Sequence, residues 1–366
     1  MRIVLLSMLR IGDTMMHLEI VEGLKQKFPD AGIEFIINDE FSQLIPLLSR
    51  QVSRVHLFPR TKAQFLMKSR TSHLEEPIWI LNDWLTEVQS SEIDLVINLT
   101  HTRVSGYLMG LLSAKNKIGL VIGNGKTQLI GNEWLRYLNE HFASGFLSQF
   151  HYIDVLSQIC EIEVRRKDAE IRNSRRIFIQ PLTSDAKKNW ALSKWRTLFT
   201  ELCQALPEYS VKVLTSPAEF SQLHGLFHEK ELAVLSLDEA AEALQSAELL
   251  ISGDTSLVHL ATQTRTRTLM IALGSSDSIK TGPYLDGSVV ISGRAECRPC
   301  DHTKPCFQQS HLCGQSISVD QILTLAKSYL KTDSKNSFNL QGGSDLHGQE
   351  TRKPLRDPSQ EARNCL

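Results

Sequence analysis

A strand that stops at a glycine and turns through Asp, Thr and Ser into a helix is the clearest chemical signal in this sequence. It lies at Gly253-Asp254-Thr255-Ser256-Leu257-Val258-His259, directly after the run Glu248-Leu249-Leu250-Ile251-Ser252. The first N–H groups of such a helix lack partners within it and point at the carboxyl edge of a sheet, where a phosphate can be held. Thr255 or Ser256 can cap the helix and also offer a hydroxyl, while His259, about one turn on, can face the same ligand. The same residues also describe an ordinary capped helix with His259 partly buried. A second candidate is Asp13, in the first strand-to-helix turn Ser7-Met8-Leu9-Arg10-Ile11-Gly12-Asp13-Thr14. It places a carboxylate at the head of a helix and toward a ligand cleft, or else simply caps that helix.

Groups of this kind need strands and helices in alternation to hold them. In the first half, residues 3–7, 33–38, 52–58 and 94–99 read as strands, with helical spacing over 15–28, 41–48 and 78–88. The basic piece 60–70 reads as a loop or the start of a helix. The rhythm restarts near Ser174, with strands over 177–180, 211–214, 249–252, 268–272 and 289–292. The expected fold is α/β, with two Rossmann-like domains whose parallel sheets face a central cleft. The expected divisions are a first domain over 1–165, a second over 175–318, a last helix over 319–330 and a disordered, dispensable tail over 331–366. A helix over 151–162 and the charged stretch 163–176 form the bridge.

Several function classes fall away on composition and motif. The chain has 366 residues, 42% of them hydrophobic, and 40 basic against 41 acidic side chains, a balance unlike that of a strongly basic nucleic-acid binder. No run approaches the length of a membrane span, and the start, Met1-Arg2-Ile3-Val4-Leu5-Leu6, does not read as a signal peptide. A cytoplasmic protein is expected, whose seven Cys serve as thiols or metal ligands rather than disulfides. The first turn carries one Gly rather than GxGxxG, so it lacks the dinucleotide fingerprint, and no P-loop lysine motif occurs. Cys297-Arg298-Pro299-Cys300, followed by Cys306 and Cys313, has spacing that suits a structural zinc site or an unmetallated loop; without a second CxxC, both readings stand and no metal is assigned. Cys160 and Cys203 fall in apolar helical patterns and are expected in the core, and Cys365 falls in the tail.

Several motifs, in order, resemble glycosyltransferase family 9, the heptosyltransferases of lipopolysaccharide core assembly. They are Arg10-Ile11-Gly12-Asp13, Lys25 to Ile33, Ile179-Gln180-Pro181 with Lys188-Asn189-Trp190 and Trp195, Leu214 to Glu219, Gly253 to His259, and Leu273 to Asp277 with Thr281-Gly282-Pro283-Tyr284. The resemblance runs from the first residue to about Leu330. It implies a GT-B fold, an acceptor domain followed by a nucleotide-sugar domain, and an inverting transfer of heptose from ADP-heptose to a lipopolysaccharide inner-core acceptor. In that chemistry Asp13 is the base that deprotonates the acceptor hydroxyl. Lys188 and the helix start at Thr255, Ser256 and Leu257 stabilise the departing diphosphate. By position, Glu219 holds the ribose, and Asp254 and His259 line the donor pocket. No DxD-like carboxylate pair is apparent, so the expected transferase uses neither metal nor cofactor.

Leu182 and Ser256 stand where the family usually has glycine. Arg60 and Lys62, with Lys68 and Arg70, form a basic group that suits an anionic glycolipid acceptor and peripheral contact with the inner membrane, or is a solvated loop. A binding protein that kept the fold and lost turnover is the alternative from another functional class.

Overall fold

The computed structural model describes residues 1–68, 75–142, 149–301, 304–307 and 311–331. Arg70, Cys365 and the tail expected beyond Lys331 lie outside the described residues. Two compact units are present, one formed by Met1–Phe146 with Tyr152–Arg165 and the other by the remainder. Among the described residues no helix is long and apolar enough to cross a membrane.

The first unit contains β1 (Arg2–Leu6), β2 (Gly32–Asn38), β3 (Arg54–Phe58), β4 (Leu95–Asn98), β5 (Asn116–Gly123) and β6 (Lys126–Ile130), in sheet order β3-β2-β1-β4-β5-β6. The first five strands run parallel. Their inner members are buried along almost their whole length, as the near-continuous Ile, Val and Leu of β1 and β4 require of strands covered on both faces. Neither β5 nor the antiparallel β6 is among the strands expected from the sequence. Strand β6 returns from β5 through Asn124 and Gly125, both at positive φ (51° and 71°), the geometry of a two-residue hairpin turn. The helices Ile11–Lys27 and Tyr152–Cys160 pack together. The basic piece after β3 is a helix, Arg60–Lys68, and the stretch expected as one helix over 41–48 is a 3₁₀ turn, Asp39–Leu44, running into a short helix, Ile45–Leu48.

The second unit contains β7 (Lys167–Asp168), β8 (Arg176–Gln180), β9 (Ser210–Thr215), β10 (Leu232–Val234), β11 (Leu249–Gly253), β12 (Thr268–Ala272), β13 (Leu285–Asp286) and β14 (Val289–Ser292). Six of them form a parallel sheet in the order β10-β9-β8-β11-β12-β14, and β7 pairs with β13. Its core includes Ile179, Ile251, Leu269, Trp190 and Trp195, the two indoles meeting edge to face at 5.3 Å. The closing helix Val319–Lys331 packs on the helix Leu192–Ala205. Both units thus have the doubly wound, Rossmann-like order, the GT-B class of fold. In each sheet the strand order reverses once, between β1 and β4 and between β8 and β11, and the loops beyond those strand ends flank the crevice where open α/β sheets bind ligands.

Candidate functional site

In the second unit the loops that flank the crevice meet through charge. Strand β11 lies between β8 and β12, with Ser252 opposite Gln180 and Gly253 opposite Ile271. The turn after β11 therefore sits beside the loop after β8. Lys188 Nζ donates to Asp254 Oδ2 at 2.7 Å, and the Ser276 hydroxyl, from the loop after β12, donates to the same oxygen. Both members of the ion pair are largely shielded, their side chains 13% and 7% exposed. Burial works against the Asp254 carboxylate, but the Lys188 ammonium and the two hydrogen bonds outweigh it and hold its pKa below the ordinary value.

Thr255 is the cap of the helix Ser256–Gln263. Its Oγ1 accepts the Leu257 N–H at 3.1 Å, so that amide, read from the sequence as a phosphate donor, is engaged here by the cap. Ser256 opens the helix, at the positive end of its dipole. His259, one turn on, is buried, and desolvation lowers its pKa to about 4, with Asp254 opposing the shift and Lys188 adding to it. Glu219 folds back on its own turn and accepts from Ser216 N at 3.2 Å and Ser216 Oγ at 2.9 Å. Leu182 is 5% exposed and belongs to the core.

In the first unit Asp13 is half-buried in the first turn of Ile11–Lys27, whose cap position is Arg10; Asp13 does not occupy the cap. The loop ahead of it is fixed from two sides. Asn38 Nδ2 donates to the Met8 carbonyl at 2.7 Å, and the Met8 N–H donates to Thr100 Oγ1 at 2.7 Å. Beneath the turn, His17 Nδ1 is 2.8 Å from Ser7 Oγ and its Nε2 is 3.2 Å from Tyr152 Oη, whose hydroxyl donates to the Leu99 carbonyl at 2.7 Å. Burial, then the charge of Asp13, pushes the Tyr152 phenol well above its ordinary pKa, so it stays a donor. His17, Tyr152 and Ser276 were not singled out as site residues from the sequence. His17 alone had a local signal, standing one helical turn after Asp13.

Arg60 pairs with Glu40 at 2.9 Å, and Lys62 is exposed on the same helix. Cys160 is buried, whereas Cys203, expected in the core, is exposed on the helix Leu192–Ala205; Cys297, Cys300, Cys306 and Cys313 are in no disulfide, and among the described residues no group of three or more His, Cys, Asp or Glu is arranged to hold a metal ion.

The two buried histidines set an acid limit on stability. Desolvation, then the field of His101, lowers the His17 pKa to about 3, and His259 falls to about 4, both from 6.5. Each is neutral in the folded chain at pH 7 and takes up a proton on unfolding at any pH between its two values. Their contribution is therefore intact above pH 6.5 and is lost as pH falls, toward about 4 for His259 and about 3 for His17. Each is expected to cost about 1.4 kcal/mol per pH unit in that window. Melting curves should show His17→Gln with a shallower acid decline than the parent chain; an unchanged slope would mean that His17 does not titrate on unfolding.

Comparison with known proteins bears on the family and the fold. Residues 148–311 match the model of glycosyltransferase family 9 (heptosyltransferase). Lipopolysaccharide heptosyltransferase 3 of Escherichia coli is 26% identical over 107 residues, which span 29% of this chain and 28% of that protein's length. The structure of the E. coli heptosyltransferase WaaC with ADP-2-deoxy-2-fluoro heptose superposes with a TM-score of 0.65 at 16% identity, covering 90% of this chain and 99% of that one. E. coli ADP-heptose lps heptosyltransferase II gives 0.62 at 14% identity, covering 92% of this chain and 100% of that one. Residues 148–311, under half of the chain, thus resemble the heptosyltransferase family in sequence, and the chain as a whole shares the fold of the E. coli heptosyltransferases WaaC and heptosyltransferase II.

Proposed function

We propose that this protein is an inverting glycosyltransferase that moves heptose from ADP-heptose to an anionic lipopolysaccharide inner-core acceptor. The observation that carries the reading is the meeting of Lys188, Asp254 and Ser276 beside the start of the helix Ser256–Gln263, at the crevice of the second unit. An ammonium fixed by a buried carboxylate, next to the positive end of a helix, suits a diphosphate whose negative charge grows as the glycosidic bond breaks. Two similar structures, E. coli WaaC with ADP and WaaC with ADP-2-deoxy-2-fluoro heptose, support ADP-heptose as the donor.

In this reading Asp254 orients Lys188 rather than touching the anion itself, because its own charge would repel phosphate. Glu219 takes the ribose hydroxyls, and His259, neutral at pH 7, lines the pocket. Asp13 accepts the proton of the acceptor hydroxyl as that oxygen attacks the anomeric carbon from the face opposite the departing diphosphate. Arg60 and Lys62 contribute to an anionic acceptor surface. Phe65 and Met67, exposed on the same helix, suit peripheral contact with the cytoplasmic face of the inner membrane.

A panel of nucleotide sugars, assayed for nucleoside-diphosphate release with purified core acceptors, tests the reading. ADP-heptose is expected to give the highest acceptor-dependent release. Binding of ADP or ADP-heptose without release would favour a binding protein that has lost turnover.

A further inference from the structure

The motif Cys297-Arg298-Pro299-Cys300 has no part in the transfer chemistry above, yet it frames a side chain that reaches the donor-site loops. Arg298 Nη1 donates to the Gly293 carbonyl at 2.6 Å, Nη2 to the Ser276 carbonyl at 2.8 Å, and Nε lies 3.4 Å from the Gly274 carbonyl. One guanidinium thus ties together the loops after β12 and β14. The turn around it is closed by Cys300, whose N–H donates to the Gly274 carbonyl at 3.2 Å and whose thiol lies 3.6 Å from the Cys297 carbonyl.

The same strap grips the loop after β8. Lys187, next to the proposed diphosphate lysine, buries its ammonium and donates to the carbonyls of Asp301 and Lys304, both at 2.6 Å. His311 Nε2 is 2.9 Å from the Lys187 carbonyl. Gly274 adopts φ 58°, and a Cβ there would stand 2.2 Å from the Lys187 carbonyl oxygen, so the two loops touch backbone to backbone.

We propose that Arg298 is a positioning residue for the donor site. It fixes the backbone of Ser276, whose hydroxyl orients Asp254, whose carboxylate in turn holds Lys188 toward a diphosphate. The CxPC motif serves as the turn that presents this guanidinium. Lysine is a poor substitute, because a point ammonium cannot reach carbonyls on two loops in the planar fork that arginine offers. The proposal rests on the donor reading of the site and adds to it a residue that touches neither donor nor acceptor.

Calorimetric titration of ADP into the full chain provides the test, with Arg298→Ala, Arg298→Lys, Ser276→Ala and the Arg298→Ala/Ser276→Ala double variant, each checked for folding by its melting transition. Arg298→Ala is expected to weaken ADP binding about tenfold and raise the donor KM while leaving the acceptor KM unchanged, and Arg298→Lys to recover only part of the loss. The double variant is expected to lose little more than the worse single one, because both act through Asp254. Millimolar methylguanidinium is expected to restore ADP affinity to Arg298→Ala and not to Lys188→Ala.

Unchanged ADP affinity in a folded Arg298→Ala protein would overturn the proposal. So would additive losses in the double variant, or losses in donor and acceptor KM alike that methylguanidinium leaves in place, as expected of general loosening. If Arg298→Ala does not fold, Arg298→Lys and Ser276→Ala decide: full ADP affinity in both sinks the proposal. Failure of the wild-type chain to bind ADP would sink the donor reading and the positioning role with it, whereas wild-type binding with an indifferent Arg298 sinks the positioning role alone.

Discussion

Asp13→Ala is expected to bind ADP as tightly as the wild-type chain and to turn over at least about a hundredfold more slowly, the usual scale for losing a general base. The separation follows from where the carboxylate lies. Asp13 belongs to the first unit, whereas Lys188, Asp254 and Ser276, the groups assigned to the diphosphate, all belong to the second. Its own turn should survive the change, because the loop before it is held by Asn38 and Thr100 and the helix beneath it by His17 and Tyr152. Asp13→Asn, nearly the same size but unable to accept a proton at neutral pH, should be as slow as the alanine variant. Steady-state rates with saturating donor and acceptor, set beside calorimetric ADP affinities, check both. A normal rate in either variant would remove Asp13 from the mechanism.

The second large effect is expected at Lys188. Its ammonium is the charge proposed to meet the diphosphate, and removing a charge-assisted contact costs about 1.5 to 3 kcal/mol of ADP binding. A second loss accompanies it: Lys188→Ala leaves the carboxylate of Asp254, 7% exposed, with only the Ser276 hydroxyl from this cluster. Breaking a buried pair by removing one partner costs up to about 3 to 5 kcal/mol, and the 13% exposure of Lys188 points to the lower part of that range. The variant should therefore both melt earlier and bind ADP more weakly. Lys188→Ala/Asp254→Ala, which removes the stranded charge, should regain part of the melting temperature and none of the ADP affinity. Equal ADP affinity in wild type and Lys188→Ala would place the lysine outside the phosphate site.

What the sequence reveals follows the range of the forces involved. The turn Gly253 to His259 is legible because strand, glycine, cap and helix follow within a dozen residues, and Thr255 is the cap that local chemistry suggests. The strands over 268–272 and 289–292 are recovered to the residue as short apolar runs, the first buried throughout as an inner parallel strand and the second a partly exposed edge strand. The hairpin β5–β6 goes unread although Asn124-Gly125 signals it, because every residue of β6 is exposed and no apolar alternation marks the strand. The helix Arg103–Leu111 is missed for a related reason: Val104, Tyr107 and Leu111 stand exposed and blur its amphipathic stripe. Asp13 is legible as an acid at a helix head, but not as a residue inside the first turn, because the helix starts at Ile11 and its cap residue, Arg10, makes no side-chain cap hydrogen bond. Ser276 and Arg298 are out of reach of local patterns altogether. Their partners lie 22 residues away on other loops, and only the closed sheet brings those loops together.

The most direct test of heptosyl transfer is isolation of the product. The purified chain is incubated with ADP-heptose and a core acceptor lacking the heptose, and the acceptor is then examined by mass and by the configuration of its new anomeric carbon. An acceptor heavier by one heptose, with inverted configuration and one ADP released per transfer, is the expected result. ADP-heptose that binds without any gain in acceptor mass, or a product with retained configuration, would contradict inverting heptosyl transfer.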